Sequence, residues 1–246
     1  MAVHDFTSQR LFVDHSLAAG TTVTCTPEQA SYLRGVLRLS EGDEILIFNG
    51  RDGEWRAELS EAGKRGAVLE AVSLVREQAG GPDIHYLFAP LKRARLDYMV
   101  QKATEMGVAR LVPVLTQHTV AERVNLDRLR ANAIEAAEQC GILRVPEIAH
   151  PVKLAHLIKD WDAARVLVYC DEGAVQASPL VQLKALAPGP LAVLVGPEGG
   201  FSPAEREMIR ALPQTRAISL GPRIMRADTA AVAALALVNA ALGDWG

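Results

Sequence analysis

Two glycine-proline turns near the C-terminus, each set between an apolar run and a helix start, constrain the fold more than any other feature. The first follows Leu191-Ala-Val-Leu-Val195 and reads Gly196-Pro-Glu-Gly-Gly-Phe-Ser202, with Pro203 and Glu205 behind it. Serine caps free N–H groups, proline suits the first helical position and Glu205 completes a capping box, so a helix is predicted to open at Ser202. The pattern returns as Ala217-Ile-Ser-Leu-Gly-Pro-Arg-Ile-Met-Arg-Ala-Asp-Thr-Ala230, again strand, turn and helix. Both turns are therefore expected at the carboxyl edge of one sheet. There, loops leave a crevice and helix N-termini direct N–H groups into it. Gly196, Gly199, Gly200 and Gly221 carry no side chain to hold a ligand away from the backbone. A Gly-Pro turn also serves simply to end a strand. Two such turns, carrying Glu198, Arg223, Arg226 and Asp228, point instead to a site.

Upstream, the chain changes character once. Short strands with turns between them are predicted at Thr21 to Cys25, Glu44 to Phe48, Glu54 to Leu59 and Ala67 to Leu74, which suggests a small barrel or sandwich. Turn signals stand at Gly42-Asp43, Asn49-Gly50, Asp52-Gly53 and Gly63, and one helix is predicted from Pro27 to Leu37. Gln78-Ala-Gly-Gly-Pro-Asp83 is the clearest linker, and it divides the chain into residues 1–78 and 79–246. Beyond it, apolar strands alternate with helices: Ile84 to Pro90, Asp97 to Met106, Arg110 to Leu115, Leu126 to Cys140, Arg165 to Cys170 and Leu180 to Leu186. This pattern predicts an α/β domain with a parallel sheet covered on both faces. The last helix, Ala227 to Leu242, is apolar on nearly every side and must be covered, by its own sheet or by a second subunit.

Charge narrows the function classes. A net charge of -3 argues against binding nucleic acid by bulk charge, so an RNA contact requires a local patch. The most basic cluster is Leu91-Lys-Arg-Ala-Arg95, where cations at a helix start oppose its dipole. Lys92, Arg93 and Arg95 serve either as a solvated helix start or as phosphate contacts, and Lys102 extends the patch. Arg34 and Arg38, four apart on the first helix, form a solvated face or a second contact. The three cysteines, Cys25, Cys140 and Cys170, suggest neither a disulfide framework nor a zinc site. The six histidines form no metal spacing. Rossmann, Walker and nucleophile-elbow motifs are missing, which lowers dehydrogenase, nucleotidase and hydrolase readings. Met1 to Arg10 lacks the blocks of a signal peptide, and the apolar stretch from Ala230 to Leu242 falls short of the roughly twenty residues a bilayer needs. A cytoplasmic protein is expected.

Leu194-Val-Gly-Pro-Glu-Gly-Gly-Phe-Ser202, taken with Leu220-Gly-Pro-Arg-Ile-Met-Arg-Ala-Asp-Thr-Ala230, resembles the signature pair of the SPOUT methyltransferases. Within them the chain most resembles the 16S ribosomal RNA (uracil N3) methyltransferase family. Gln101-Lys-Ala-Thr-Glu-Met-Gly-Val108, Glu135-Ala-Ala-Glu-Gln-Cys140, Arg10-Leu-Phe12 and Tyr32-Leu-Arg-Gly-Val-Leu-Arg38 extend the likeness over nearly the whole chain. It breaks at Ile142, where many relatives carry arginine, although Arg144 stands two places later. The resemblance implies a knotted parallel sheet with helices on both faces, preceded by a small PUA-like RNA-binding barrel. It further implies a homodimer acting on ribosomal RNA or the small ribosomal subunit.

With S-adenosylmethionine as methyl donor, the implied cofactor residues are Leu194, Val195, Gly196, Pro197, Glu198 and Gly199 in the first turn. Ser219, Leu220, Gly221, Ile224 and Met225 follow in the second. Arg10, Arg34 and Arg38 become candidate RNA contacts. Methyl transfer to N3 requires removal of a proton, so Arg226 is assigned to the uracil or its phosphate, and Asp228 or Glu198 to proton removal. Asp228 stands where relatives often carry glutamate, and capping of the final helix is its other reading. Two other functions compatible with the turns are methylation of a different RNA and non-catalytic RNA binding on the same scaffold.

Overall fold

A computed structural model describes residues 8–61, 66–120, 123–174 and 177–245; the turn expected at Gly63 lies outside them. The chain forms two compact units, Met1–Gly80 with Ala137–Val145, and Gly81–Ala136 with Pro146–Gly246. The short segment assigned to the first unit has no signal in the sequence.

The first unit is built on five strands, β1 (Arg10–Phe12), β2 (Thr22–Thr24), β3 (Glu44–Phe48), β4 (Glu54–Glu61) and β5 (Val68–Arg76). They lie in the order β1-β3-β4-β5-β2, with β1 parallel to β3 and the other pairs antiparallel. Register shifts between β4 and β5 bend the sheet, as bulges do. Among the described residues no pairing joins β1 to β2, so the expected barrel is an open, curled sheet. Gly53 shows why the turn before β4 needs glycine: its φ is 83°, and a Cβ there would lie 2.4 Å from the carbonyl oxygen of Arg76. Val23, Leu33, Ile47, Leu59 and Leu69 belong to one buried core cluster.

The first helix departs from expectation. Thr26 and Gln29 close a capping box on α1 (Pro27–Ser31), but the chain then widens into a π-helical turn over Tyr32–Val36. Arg38 lies beyond its end with a left-handed φ of 59°. Arg34 and Arg38 therefore do not share a regular helical face; Arg34 donates to the carbonyl oxygen of Gly66 at 2.8 Å.

The second unit is a parallel sheet of seven strands: β6 (Ile84–Phe88), β7 (Arg110–Leu115), β8 (Glu147–Ile148), β9 (Val152–Lys153), β10 (Val166–Cys170), β11 (Leu191–Val195) and β12 (Thr215–Ile218). The order is β12-β10-β11-β6-β7-β8, with β9 also pairing β7. Six helices belong to the same alternation: α2 (Arg93–Glu105), α3 (Leu126–Cys140), α4 (Leu154–Lys159), α5 (Pro179–Lys184), α6 (Pro203–Ala211) and α7 (Ala227–Leu242). Leu154 of α4 and Ile209 of α6 join Leu87, Tyr169 and Leu194 in one cluster. Alternation along the strands turns their neighbours Tyr86, Val168 and Val193 to the opposite face. On α7, Ala230, Ala234, Leu235 and Val238 are buried, and the helix packs against α2, α5 and β11. Buried Asn239 donates to the carbonyl oxygen of Met106 at 2.8 Å, tying α7 to the end of α2.

His85 on β6 gives this unit a pH response. Burial, then the charge of Arg165, holds its imidazole down at about 4, with Asp83 opposing. Because the unfolded chain binds the proton near 6.5 and the folded one does not, stability is lost as pH falls from about 6.5 to 4. His85→Gln is expected to remove about 1–2 kcal/mol of that loss, after allowance for solvent at the exposed edge of the ring. Urea unfolding of both proteins at pH 7 and pH 4.5 measures the difference.

Candidate functional site

The topology places the carboxyl ends of β12, β10 and β11 side by side, so the two signature turns flank the loop after β10. Between them lies a cavity of about 190 Å³. Val195, Gly196 and Pro197 form one wall, and Leu220, Gly221, Ile224 and Met225 form another. Tyr169 to Glu172, Phe201 and Arg206 complete it, with Ala227 and Ala230 of α7.

Each wall has a local cause. The first turn closes with Gly200 N–H donating to the carbonyl oxygen of Pro197 at 2.9 Å, and Gly200 has a φ of 68°. The predicted capping box then starts α6: Ser202 N–H donates to Glu205 at 2.9 Å, and Ser202 Oγ accepts from Glu205 N–H. At Gly196 the Phe201 ring already occupies the space a side chain would take: a Cβ would lie 2.5 Å from the ring. In the second turn, buried Ser219 accepts at Oγ from Gly221 N–H at 3.3 Å.

The loop after β10 is anchored by charge. The Asp171 side chain is fully buried and accepts from Gly173 N–H at 2.9 Å, Arg206 at 3.1 Å and Arg210. Arg206 also pairs with Glu172. Two arginines of α6 thus lock that helix to the end of β10. Burial pushes the Cys170 thiol up to about 12, and burial followed by Asp171 pushes the Tyr169 phenol up to about 12. Both stay uncharged, so Cys170 is a wall residue without thiolate chemistry.

A model described as an RNA methyltransferase domain matches residues 79–239, and one described as an RNA methyltransferase PUA domain matches residues 26–72. A ribosomal RNA small subunit methyltransferase E of Synechocystis is 32% identical over 95% of this chain and 78% of its own length. The chain belongs to that family. Its counterpart in Rickettsia conorii is 28% identical over 94% of both chains. A methyltransferase of Legionella pneumophila, solved with bound SAM, aligns with a TM-score of 0.85 and 27% identity over 96% of this chain and 99% of its own.

Against this methyltransferase fold, the residues expected to hold a cofactor separate into two groups. Val195, Gly196, Pro197, Glu198, Leu220, Gly221, Ile224 and Met225 line the cavity. Leu194, Gly199 and Ser219 are not among its lining residues: Leu194 is wholly buried in the core, and Ser219 is spent on its own turn. Tyr169, Cys170, Asp171, Glu172, Phe201 and Arg206 were missed. Phe201 stands inside the first signature stretch and Arg206 on the helix that Ser202 opens, whereas the only sequence signal for Tyr169 to Glu172 was the strand ending at Cys170, whose place between the two signature strands is a matter of topology.

The expected catalytic residues stand at the start of α7 and in the first turn. Arg226 is exposed in the N-cap position but makes no side-chain capping bond. Asp228 accepts from Thr229 N–H at 2.9 Å, inside the first turn of α7. Glu198 is paired with Arg95 of α2.

That pair brings the basic cluster to the signature turn. Lys92 and Arg93 are exposed where α2 begins without a side-chain cap. Lys102 pairs with Glu105 at 2.7 Å and lies 5.6 Å from the centre of the Tyr98 ring. Arg10 requires a correction. It is 7% exposed and bonds Glu54 at 2.9 Å, so its charge is consumed inside the first unit. Ile142, where the resemblance leads an arginine to be expected, packs in an apolar cluster with Phe48, Ala137 and Leu143. Among the described residues no group of acidic, histidine or cysteine side chains could hold a metal ion, and no helix is long and apolar enough to cross a membrane.

Proposed function

We propose that this protein transfers the methyl group of S-adenosylmethionine to N3 of a uridine in 16S ribosomal RNA of the small subunit, acting as a cytoplasmic homodimer. The observation that carries the reading is the cavity between the two signature turns in a chain of the RNA methyltransferase family. Its donor set suits the cofactor. Val195, Met225, Ala227 and Ala230 offer apolar surface to a purine, Gly196, Gly200 and Gly221 bring the backbone of both turns to the same space, and the carboxylates of Asp171, Glu172 and Glu198 accompany Arg206 and Arg223 on the wall. A sulfonium cation needs that company rather than a lysine clamp. When bound, the cofactor supplies an electrophilic methyl group.

The chain's own residues do the rest. Arg226 holds the uracil anion or its phosphate, at the N-terminus of α7 where the helix dipole also favours negative charge. Asp228 accepts the N3 proton while tied to Thr229 N–H, so capping and proton removal are compatible in one carboxylate. Glu198 is the second acceptor once Arg95 leaves it. An exposed pair of this kind contributes about 1 kcal/mol at most, so an RNA phosphate can take Arg95 over. Lys92, Arg93 and Lys102 extend the same grip, and Arg34 and Arg38 add a contact from the first unit.

Incubation with small ribosomal subunits and labelled S-adenosylmethionine, followed by mass spectrometry of the nucleosides, is expected to yield N3-methyluridine in 16S RNA. Label in another RNA alone would overturn the substrate. Arg226→Ala is expected to cut turnover at least ~100-fold while S-adenosylmethionine affinity changes less than about twofold. Wild-type turnover in that variant would remove Arg226 from the mechanism.

A further inference from the structure

The first signature turn is held by a loop that belongs to neither motif. After β7, Thr116 and Thr119 close a compact turn: Thr116 N–H donates to Thr119 Oγ1 at 2.8 Å, and Thr119 N–H donates to the Thr116 carbonyl at 3.2 Å. The two residues between them reach the signature turn at separate points. Gln117 N–H donates to Glu205 Oε1 at 2.8 Å, while Oε2 of the same carboxylate accepts from Ser202 N–H. His118 Nδ1 lies 3.2 Å from the carbonyl oxygen of Gly199 and 3.0 Å from that of Gly200. The approach at Gly199 is close: a Cβ there would sit 3.3 Å from His118 Cβ, so a side chain would push the imidazole outward by a few tenths of an ångström.

A ring nitrogen facing two carbonyl oxygens must carry a proton, since an unprotonated one would set three lone pairs against one another. We propose that His118 is a positioning residue for the cofactor turn, held in the Nδ1–H tautomer and donating to the Gly199 and Gly200 carbonyls. Fixing those two carbonyls fixes the peptide planes at the end of the turn, and with them the course of Gly196 to Glu198, which line the cavity. The proposal rests on the reading of that cavity as the S-adenosylmethionine site. It adds a determinant of cofactor affinity outside both signature stretches.

Side-chain chemistry supplies the test. Asparagine places an amide N–H the same number of bonds from the backbone as Nδ1–H; leucine has a similar shape without a donor, and aspartate offers only acceptors. His118→Leu and His118→Asp are expected to weaken S-adenosylmethionine binding about fivefold by calorimetry, and His118→Asn to restore it to within about twofold. Melting temperatures of the three variants should agree, because the bonds are exposed. Nitrogen-15 NMR of the ligand-free protein, at a pH where the imidazole is neutral, should report Nδ1–H, the opposite of the tautomer an unrestrained histidine prefers. An Nε2–H tautomer, or equal binding by the leucine and asparagine variants, overturns the proposal. Failure of the wild-type protein to bind S-adenosylmethionine would instead overturn the reading of the cavity, and the tautomer would still decide whether His118 holds the turn.

Discussion

Glu54→Ala is expected to destabilise the first unit by about 3–5 kcal/mol, the range measured when one partner of a buried charge pair is removed. The Glu54 side chain is 1% exposed. Its Oε1 accepts from Arg10 Nε at 2.9 Å and from Arg76 at 2.9 Å, and its Oε2 accepts from Arg76 Nε at 2.6 Å. Two guanidinium groups thus share one buried carboxylate, and its removal takes a charged partner from both. The loss should spread, because Arg76 also donates to the Gly141 carbonyl at 2.8 Å and so fastens Ala137–Val145 to the strands. Glu54→Gln keeps the shape and one of the two acceptor oxygens, while its NH2 replaces the other with a donor, and it should cost less than the alanine variant. Urea unfolding followed by the fluorescence of Trp55, on the same sheet, reads the effect. A loss under about 1 kcal/mol in the alanine variant would show that the pair contributes no more than an exposed one.

The same cluster shows where the sequence stops being informative. Arg10 reads as a free cation because nothing near it in the chain is its counterion; Glu54 lies 44 residues away and becomes a neighbour only through the β1-β3-β4 pairing. Local signals were reliable where the cause is local. Glu44–Phe48, Arg110–Leu115, Leu126–Cys140 and Ala227–Leu242 coincide with their apolar runs, and Ser202 caps α6 through Glu205 as its spacing requires. The strands β8 and β9 are two residues each, too short for any periodicity. The π-helical turn at Tyr32–Val36 differs from an α-helix by one residue in the span of its hydrogen bonds, and composition does not register that. At the site, both turns were legible because glycine and proline mark them. The contribution of β10, the hold of Arg95 on Glu198 and that of His118 on Gly199 were not: each joins segments that only the strand order brings together. A chain threading of the kind the family resemblance implies is likewise a property of connectivity, not of residue pattern.

Gly196→Ala should disable the cofactor site outright. The added Cβ would lie 2.5, 3.0 and 3.1 Å from three carbons of the Phe201 ring, closer than packed carbons approach. The ring has little room to yield: Phe201 is 7% exposed, and its edge meets buried Tyr169 with ring centres 5.5 Å apart. The strain is therefore relieved either by moving the ring into the cavity that Phe201 and Gly196 both line, or by pushing the turn off β11. Overpacking of this kind costs about 1–3 kcal/mol of stability. Either displacement disturbs the backbone groups facing the cavity, so S-adenosylmethionine affinity should fall at least ~100-fold by calorimetry. If the ring is the cause, shrinking it should rescue the variant. Phe201→Leu combined with Gly196→Ala is then expected to recover most of the stability lost by Gly196→Ala and part of the affinity, giving a strongly non-additive double-mutant cycle. Additive losses would mean that the alanine acts elsewhere, on ligand approach or on turn conformation, and that Phe201 is a bystander.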